Sequence, residues 1–190
     1  MKIVDFRKLK NSFEFSPICL SMGFFDGVHI GHQKLISDVC FYAKKINGFS
    51  AILTYYNHPK SILEPNNIPP LLMTFQEKMN FISSLGVDFA FVSEFDEEFA
   101  SIPAEKFVKD ILIDKLNVKY ICIGKNHRFG QNGLGTVETI KQFGIKVKSL
   151  ELFSILGENV SSSNIRKAIE NGDIELAKKM LGRNYSNFKN

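Results

Sequence analysis

The feature that most constrains this chain is a glycine-rich segment, residues 21–33, that lies between two apolar patterns. Residues 17–20 before it predict a short buried strand, and apolar residues from Leu35 to Ile46 after it recur with the period of a half-buried helix. The segment is therefore predicted to be a strand-to-helix turn. A second apolar run at residues 49–55 completes a strand–helix–strand unit, which predicts an α/β fold with parallel pairing.

The rest of the chain repeats this alternation. Further strands are predicted at residues 3–6, 87–92, 119–123 and 145–150. Helices are predicted at residues 74–85, from Pro103 to Leu116, at residues 136–143, and in two segments that end near Asn171 and Gly182. Three stretches without a regular period are a polar connection at residues 7–16, a loop with four prolines at residues 57–70, and residues 94–100.

These patterns predict one domain over residues 1–190. Its architecture is an open, mostly parallel sheet with helices on both faces, and residues 161–185 form a C-terminal helical segment packed on it.

Composition and charge exclude several classes of protein. The net charge of +4 is too weak and too dispersed to indicate a nucleic-acid partner. The three cysteines lie in apolar segments, which indicates reduced and buried thiols. No apolar run is long enough to span a bilayer and no signal peptide is evident, so we expect no membrane partner and a cytoplasmic location.

Residues suited to chemistry cluster where predicted strands end. Glycines in the segment at residues 21–33 allow close approach of a ligand, and the helix that follows presents free N–H groups to an anion. His29 and His32 lie three residues apart at this helix start. Serines 161–163 and Arg166 open a later helix, and an arginine fork binds phosphate oxygens in pairs. Because ligands of open α/β sheets bind at the carboxyl ends of strands, these groups predict phosphate chemistry by positioning and charge neutralisation.

Each of these features has a simpler interpretation when it is taken alone. The two histidines could be half of a metal site, but no third ligand with suitable spacing is evident. The glycines could serve a tight turn, the serines an N-cap, and Arg166 a solvated helix surface. His58-Pro59 could be a turn, and residues 126–130 a loop. It is their joint occurrence, in this order, that favours a phosphate site.

Two motifs give the chain a resemblance to a known group of enzymes. His29-Ile30-Gly31-His32 and the segment from Ser161 to Arg166 resemble the HxGH and (I/V)SSTxxR motifs of Rossmann-like nucleotidyltransferases. More narrowly, residues 23–33 match GxFDGVHxGHQ of the adenylyltransferase module in bacterial FAD synthetases, the bifunctional riboflavin kinase/FMN adenylyltransferases. Shorter matches are TFxxHP at residues 54–59 with Tyr55 in place of Phe, a GxNFxFG loop at 124–130 and an LGR ending at 172–183.

The resemblance implies transfer of AMP from ATP to FMN, which yields FAD and pyrophosphate with Mg²⁺ carried mainly on the phosphates and no protein metal ligand assigned. The implied catalytic residues are His29, His32 and Arg166. The implied ATP-binding residues are Gly23, Phe24, Phe25, Asp26, Gly31, His32, Ser161, Ser162, Ser163 and Arg166. The implied flavin-binding residues are His58, Pro59, Asn126, His127, Arg128 and Phe129.

The chain departs from the family pattern at three points. His127 replaces a phenylalanine of the flavin-side loop. Ser163 replaces a threonine, and this substitution keeps a hydroxyl group at that position. Only residues 186–190 follow the position where a riboflavin kinase module would begin, so the chain is either a monofunctional FAD synthetase or one module of a longer enzyme, and we expect no FMN from riboflavin. Two alternatives remain: a related nucleotidyltransferase with another phosphate-ester acceptor, and a flavin- or nucleotide-binding protein with little turnover.

Overall fold

A computed structural model describes residues 1–9, 17–151 and 153–184. Its centre is a six-stranded sheet in which each neighbouring pair is parallel. The strands are β1 (Lys2–Asp5), β2 (Ile18–Met22), β3 (Phe49–Tyr55), β4 (Phe89–Ser93), β5 (Val118–Gly124) and β6 (Lys146–Leu150). They lie in the order β1-β4-β3-β2-β5-β6. The predicted Rossmann-like α/β architecture is confirmed.

The strand order places a topological switch at β2. The chain continues from β2 to β3 and β4 on one side, and later returns to place β5 and β6 on the other side. In open parallel sheets a crevice forms at such a switch, outside the carboxyl ends of the strands. The glycine-rich segment follows β2 and the loop at residues 124–130 follows β5, so both border this crevice.

Helices connect the strands. They are α1 (Ile30–Lys45), α2 (Lys60–Leu63), α3 (Phe75–Ser84), α4 (Glu97–Ala100), α5 (Ala104–Lys106), α6 (Val137–Gln142), α7 (Ser162–Glu170) and α8 (Ile174–Leu181). A π-helical segment, Phe107–Lys115, continues directly from α5, and a short antiparallel hairpin, β7 (Ser154–Ile155) and β8 (Glu158–Asn159), precedes α7. Tight 3₁₀ turns cover Phe6–Lys8, Asp26–Val28 and Gln131–Gly133.

Side chains of the central strands alternate between two apolar layers, as the period of two requires. In β2, Leu20 and Met22 pack with the π-helical segment and α6 on one face. Cys19, which directly precedes Leu20, packs with Val39 of α1 on the other face. Helices therefore cover both faces of the sheet, and its strands are buried on both sides, as parallel strands commonly are.

Local sequence signals explain several helix boundaries. Thr74 and Glu77 form the predicted capping box at the start of α3, in which each side chain binds the backbone N–H of the other. Gly182 ends α8 in the left-handed conformation. A side chain at Gly182 would also meet Cγ2 of Ile30 at 2.6 Å, so the end of α8 packs directly on the start of α1.

Other boundaries differ from the sequence predictions. The proline-rich segment contains α2, and residues 94–100 contain α4, which Asp96 caps by accepting a hydrogen bond from the Phe99 N–H. The helix that was predicted from Pro103 is α-helical for only one turn before it widens. These short elements lack a full hydrophobic period, and tertiary packing decides them.

Parts of some predictions lie outside the described residues, namely most of the connection at residues 7–16 and the end of the helical segment at residue 185. Within residues 1–9, 17–151 and 153–184, no helix is both long and apolar enough to cross a bilayer.

Candidate active site

A cavity of about 840 Å³ opens at the switch point of the sheet. The start of α1, the loop after β5, the proline-rich segment and the start of α7 line it. The chain has four histidines, and all four line this cavity: His29, His32, His58 and His127. The groups that the sequence placed at separate strand ends therefore meet around one space.

His29 and His32 lie face to face at the start of α1. Their ring centroids are 3.6 Å apart and the rings are inclined by 17°. Nδ1 of His29 accepts a hydrogen bond from the backbone N–H of His32 at 3.3 Å, which makes His29 the N-cap of the helix. Because Nδ1 is the acceptor, the neutral ring carries its proton on Nε2, where it is a donor.

Both imidazoles are neutral near pH 7. Burial, aided by the positive charge of Arg183, lowers the pKa of His29 to about 4. Burial and then the neighbouring His29, Lys78 and His127 lower the pKa of His32 well below its ordinary value. Nδ1 of His32 is buried without a hydrogen-bond partner among the described residues, which is uncommon for a buried polar atom. The pair therefore presents neutral imidazole rings to the cavity rather than cations.

Asp26 and Arg166 form a buried ion pair at the cavity wall. Arg166 Nη2 donates to Oδ2 of Asp26, and Arg166 Nε donates to the carbonyl of Pro70 at 2.6 Å. The second oxygen of Asp26 accepts the backbone N–H of Leu72 at 3.1 Å. Arg166 is only 9% exposed, so the interpretation as a solvated helix residue is wrong. Burial raises the pKa of Asp26, and the Leu72 N–H and the Arg166 charge oppose that rise.

The serines at the start of α7 have different partners. Ser161 caps the helix by accepting the backbone N–H of Asn164 at 3.1 Å. Ser162 donates to the backbone carbonyl of Asp26 at 2.9 Å. Ser163 is exposed, and all three serines line the cavity. The N-cap interpretation of Ser161 is therefore right, and it is compatible with a place in the cavity wall.

The turn that carries Asp26 is conformationally strained. Phe25 and Val28 have φ angles of 58° and 37°, a region that residues with a side chain seldom adopt. Two donors hold the Val28 carbonyl in place, Gln33 Nε2 at 2.9 Å and Arg183 Nη1 at 3.2 Å. Such strain persists only where the surroundings impose it, and it is common at functional sites.

The predicted flavin-side residues divide into two groups. His58, Asn126 and His127 line the cavity. Arg128 is exposed and Phe129 is buried in the core, where its ring lies 5.4 Å from that of Phe107. Pro59, Arg128 and Phe129 are not among the residues that line this cavity. Burial lowers the pKa of His127 to about 4.

Lys78 is a buried charged residue beside this site that sequence reasoning missed. It lies on α3 with 3% exposure, and burial lowers the pKa of its ammonium to about 8. One sequence signal could have indicated this burial: Lys78 lies on the otherwise apolar face of α3, beside the core residues Met79 and Ile82. Lys60, Glu151 and Phe153 also line the cavity and were not predicted.

A metal ion would need several ligating side chains close together. In the part of the chain that the structure describes, there is no group of three histidine, cysteine, aspartate or glutamate side chains placed to hold a metal ion. The only carboxylate at the turn, Asp26, is already held by Arg166 and Leu72. The described residues therefore do not form a metal site from protein ligands alone.

Comparisons with known proteins give a consistent result. A family model described as FAD synthetase matches residues 13–164. A bifunctional riboflavin kinase/FMN adenylyltransferase of Buchnera aphidicola subsp. Schizaphis graminum is 42% identical over 176 residues, which are 90% of this chain and 56% of that protein. The Bacillus subtilis protein of the same description is 34% identical over 171 residues, 87% of this chain and 54% of that protein. The chain thus spans about half the length of these curated relatives.

A solved structure has the same fold. It is a Streptococcus pneumoniae protein described as a macrolide-efflux protein, with a TM-score of 0.82 and 26% identity. The match covers 96% of this chain and 61% of that one. Because the family model covers most of the chain, including both histidines of the α1 start and the serines of α7, the chain belongs to the FAD synthetase family.

Proposed function

We propose that this chain is an FMN adenylyltransferase. An oxygen of the FMN phosphate attacks the α-phosphorus of ATP and forms a new P–O bond. The bond between the α-phosphorus and the oxygen that bridges to the β-phosphate breaks, and that oxygen leaves with pyrophosphate. The products are FAD and pyrophosphate, and no covalent enzyme intermediate forms.

One observation carries this proposal: the imidazole pair of α1 and the serine–arginine cluster of α7 line the same cavity. The two motifs are more than a hundred residues apart in the chain, and neither alone would distinguish a phosphate site from a turn or a cap. Phosphoryl-type transfer needs alignment and charge stabilisation more than covalent chemistry. A cavity with N–H donors at one wall and a guanidinium at another supports that type of reaction.

In this proposal His29 and His32 stabilise the charge that develops on the phosphates. A neutral imidazole N–H donates without competing protonation near pH 7, and it stands at the positive end of the α1 dipole. The interaction grows as pyrophosphate leaves, so it acts on the transition state more than on bound ATP.

Arg166 and Ser163 would bind the β- and γ-phosphates. Ser162, whose hydroxyl donates its hydrogen to the Asp26 carbonyl, would hold the turn beside them. Arg166 uses Nε and one hydrogen of Nη2 in its two contacts, so Nη1 and the second hydrogen of Nη2 remain for phosphate oxygens. Asp26, which the resemblance assigns to ATP, is proposed to act by holding this guanidinium in position. Gly23, Phe24, Phe25 and Gly31 would form the nucleotide side of the cavity.

The flavin side is proposed at His58, Asn126 and His127, which line the cavity around the carboxyl ends of β3 and β5. Mg²⁺ bound to the phosphate oxygens of ATP would neutralise their charge. Mg²⁺ prefers substrate phosphates and water to an all-protein site, and we assign no protein residue to it.

The test uses purified protein with ATP, Mg²⁺ and either FMN or riboflavin, and the products are separated by chromatography. FMN is expected to give FAD and pyrophosphate. Riboflavin lacks the acceptor phosphate and is expected to give no adenylylated product. Flavin or nucleotide binding without any product would contradict the proposal and favour the binding-protein alternative, and a product from a different phosphate ester alone would favour the related nucleotidyltransferase.

A further inference from the structure

The side chain of Lys78 is the starting point, because its charge is buried without a carboxylate in hydrogen-bond contact. Its ammonium donates to the backbone carbonyl of Phe24 at 2.9 Å, to Oγ1 of Thr54 at 3.2 Å and to the carbonyl of Tyr55 at 3.2 Å. All three donors of the ammonium are used. The acceptors stand where β2 and β3 end, so one cation binds the ends of two neighbouring strands.

The contact with Phe24 is the strongest of these links. Its carbonyl also accepts the hydroxyl of Thr54 at 3.1 Å, so two donors fix the peptide, and Lys78 donates to both members of this pair. The Lys78 ammonium further lies 4.2 Å from the centre of the Phe24 ring, within cation–π distance. Backbone and ring of Phe24 are therefore held from the same side.

Phe24 lies between Lys78 and the cavity. The Phe24 ring also contacts His58, whose ring meets it edge to face with the ring centroids 4.6 Å apart. Phe24 and His58 both line the cavity, whereas Lys78 is not among its lining residues. A row of three groups thus runs from the buried ammonium through Phe24 to His58.

Burying an ammonium is expensive, and an apolar side chain would suit the core position of Lys78 better on stability alone. Its neighbours on α3, Met79 and Ile82, show that the surrounding layer accepts apolar residues. A charge retained at such a position indicates a role other than core packing.

We infer that Lys78 is a positioning residue of this site, which fixes Phe24 and through it His58 as the wall against which the substrate binds; this rests on the proposed adenylyl transfer to FMN. Its ammonium also places a positive charge below a cavity that binds phosphates, although Lys78 itself does not contact them. If Phe24 and His58 are no longer held in place, substrate and transition state are bound less tightly by the same amount. The loss of Lys78 should therefore raise KM and leave kcat nearly unchanged.

The kinetic test compares Lys78→Met, Lys78→Arg and the control Lys141→Met, which removes an exposed lysine on α6 that pairs with Glu138. Lys78→Met is expected to raise the KM for FMN or ATP by about tenfold or more, the scale of a lost charge-assisted hydrogen bond, while kcat changes by less than about threefold. Lys78→Arg should recover part of the loss, and Lys141→Met should match the wild type. Unchanged constants, or a loss confined to kcat, would overturn the inference.

A second measurement does not depend on turnover. The imidazole of His58 is titrated by NMR in wild type and in Lys78→Met. Burial is the largest cause that lowers the pKa of His58. The charges of Arg166, Lys60 and Lys78 lower this pKa further, whereas Glu64 raises it. Removal of the Lys78 charge should therefore raise this pKa, and an unchanged His58 signal and midpoint would contradict the proposed link. If the wild type makes no FAD, the proposed function is wrong. The His58 titration then still tests whether Lys78 is linked to His58.

Lys78→Met could also prevent folding, so Thr54→Val serves as a second variant. It removes the other donor to the Phe24 carbonyl and one of the three acceptors of the Lys78 ammonium at nearly constant volume, and it leaves the buried charge in place. We expect the same change in KM at a smaller size, about threefold to tenfold. If Thr54→Val shows a lower melting temperature with wild-type KM and kcat, the two donors serve only the fold and the inference is overturned.

Discussion

The carboxylate of Asp26 pairs with the guanidinium of Arg166, which lies 140 residues further along the chain. The pair joins the turn after β2 to helix α7. It also holds the end of the proline-rich segment, because Arg166 binds the Pro70 carbonyl and Asp26 binds the Leu72 N–H. Three walls of the cavity thus meet at one buried ion pair.

Substitution of Asp26 by Asn should destabilise the protein strongly. It leaves Arg166 buried without its counter-charge, a change that typically costs about 3–5 kcal/mol of unfolding free energy. The measurement is urea unfolding of Asp26→Asn against wild type. Glu138→Gln, which breaks the exposed pair with Lys141, is the control and should leave the unfolding curve unchanged. An unfolding free energy equal to that of wild type in Asp26→Asn would contradict the role given to this pair.

Replacement of His32 by Ala should lower kcat much more than it weakens ATP binding. Removal of one donor to developing charge typically costs about 10²–10³ in kcat, and the neutral His32 side chain is proposed to act in the transition state. Turnover and ATP affinity are measured separately, the latter by calorimetry. Equal losses in kcat and in affinity would show that His32 only binds the nucleotide.

The stability of the protein should fall as the pH drops below about 6.5. The folded-state pKa of His29 is about 4, below its unfolded value, so the unfolded chain binds the proton more readily between these two pH values. The stability from the neutral ring is complete above pH about 6.5 and is lost toward pH about 4, by at most about 1.4 kcal/mol per pH unit.

His29→Asn tests this pH dependence, because asparagine retains an acceptor at the N-cap but does not titrate. Unfolding free energies at about pH 7 and about pH 5 are compared for the variant and the wild type. The difference between the two pH values should be smaller in the variant. The same pH dependence in both proteins would show that His29 does not contribute.

Gly27→Ala should destabilise the chain more than Gly86→Ala. Both glycines have a positive φ, 73° and 84°, and the left-handed region costs a residue with a side chain about 1–2 kcal/mol. A Cβ at Gly27 would also lie 2.8 Å from Cδ1 of Leu72, whereas a Cβ at Gly86 meets no atom within 4 Å. Thermal unfolding of both variants measures the difference. Equal melting temperatures would mean that Leu72 moves aside at little cost.

The sheet, α1 and the capping box of α3 were predictable because they depend on local signals. Apolar runs mark the strands, and the pair Thr74 and Glu77 marks the start of α3. Elements of one turn, α2 and α4, were missed because four residues carry no full period. For the site, the place of His29 and His32 at the start of α1 followed from their position after a strand, whereas a buried role for Lys78 did not.

The sequence by itself determined the order of the six sheet strands and the longer helices, the family, and the two motifs that border the cavity, because these rest on spacing along the chain. Only the tertiary structure decided that Arg166 is buried against Asp26, that Phe129 packs against Phe107 in the core, and that Lys78 lies beneath Phe24. These outcomes depend on which distant segments meet at the same edge of the sheet. Burial then sets their charge and hydrogen bonding, and spacing along the chain does not specify which partners these groups meet.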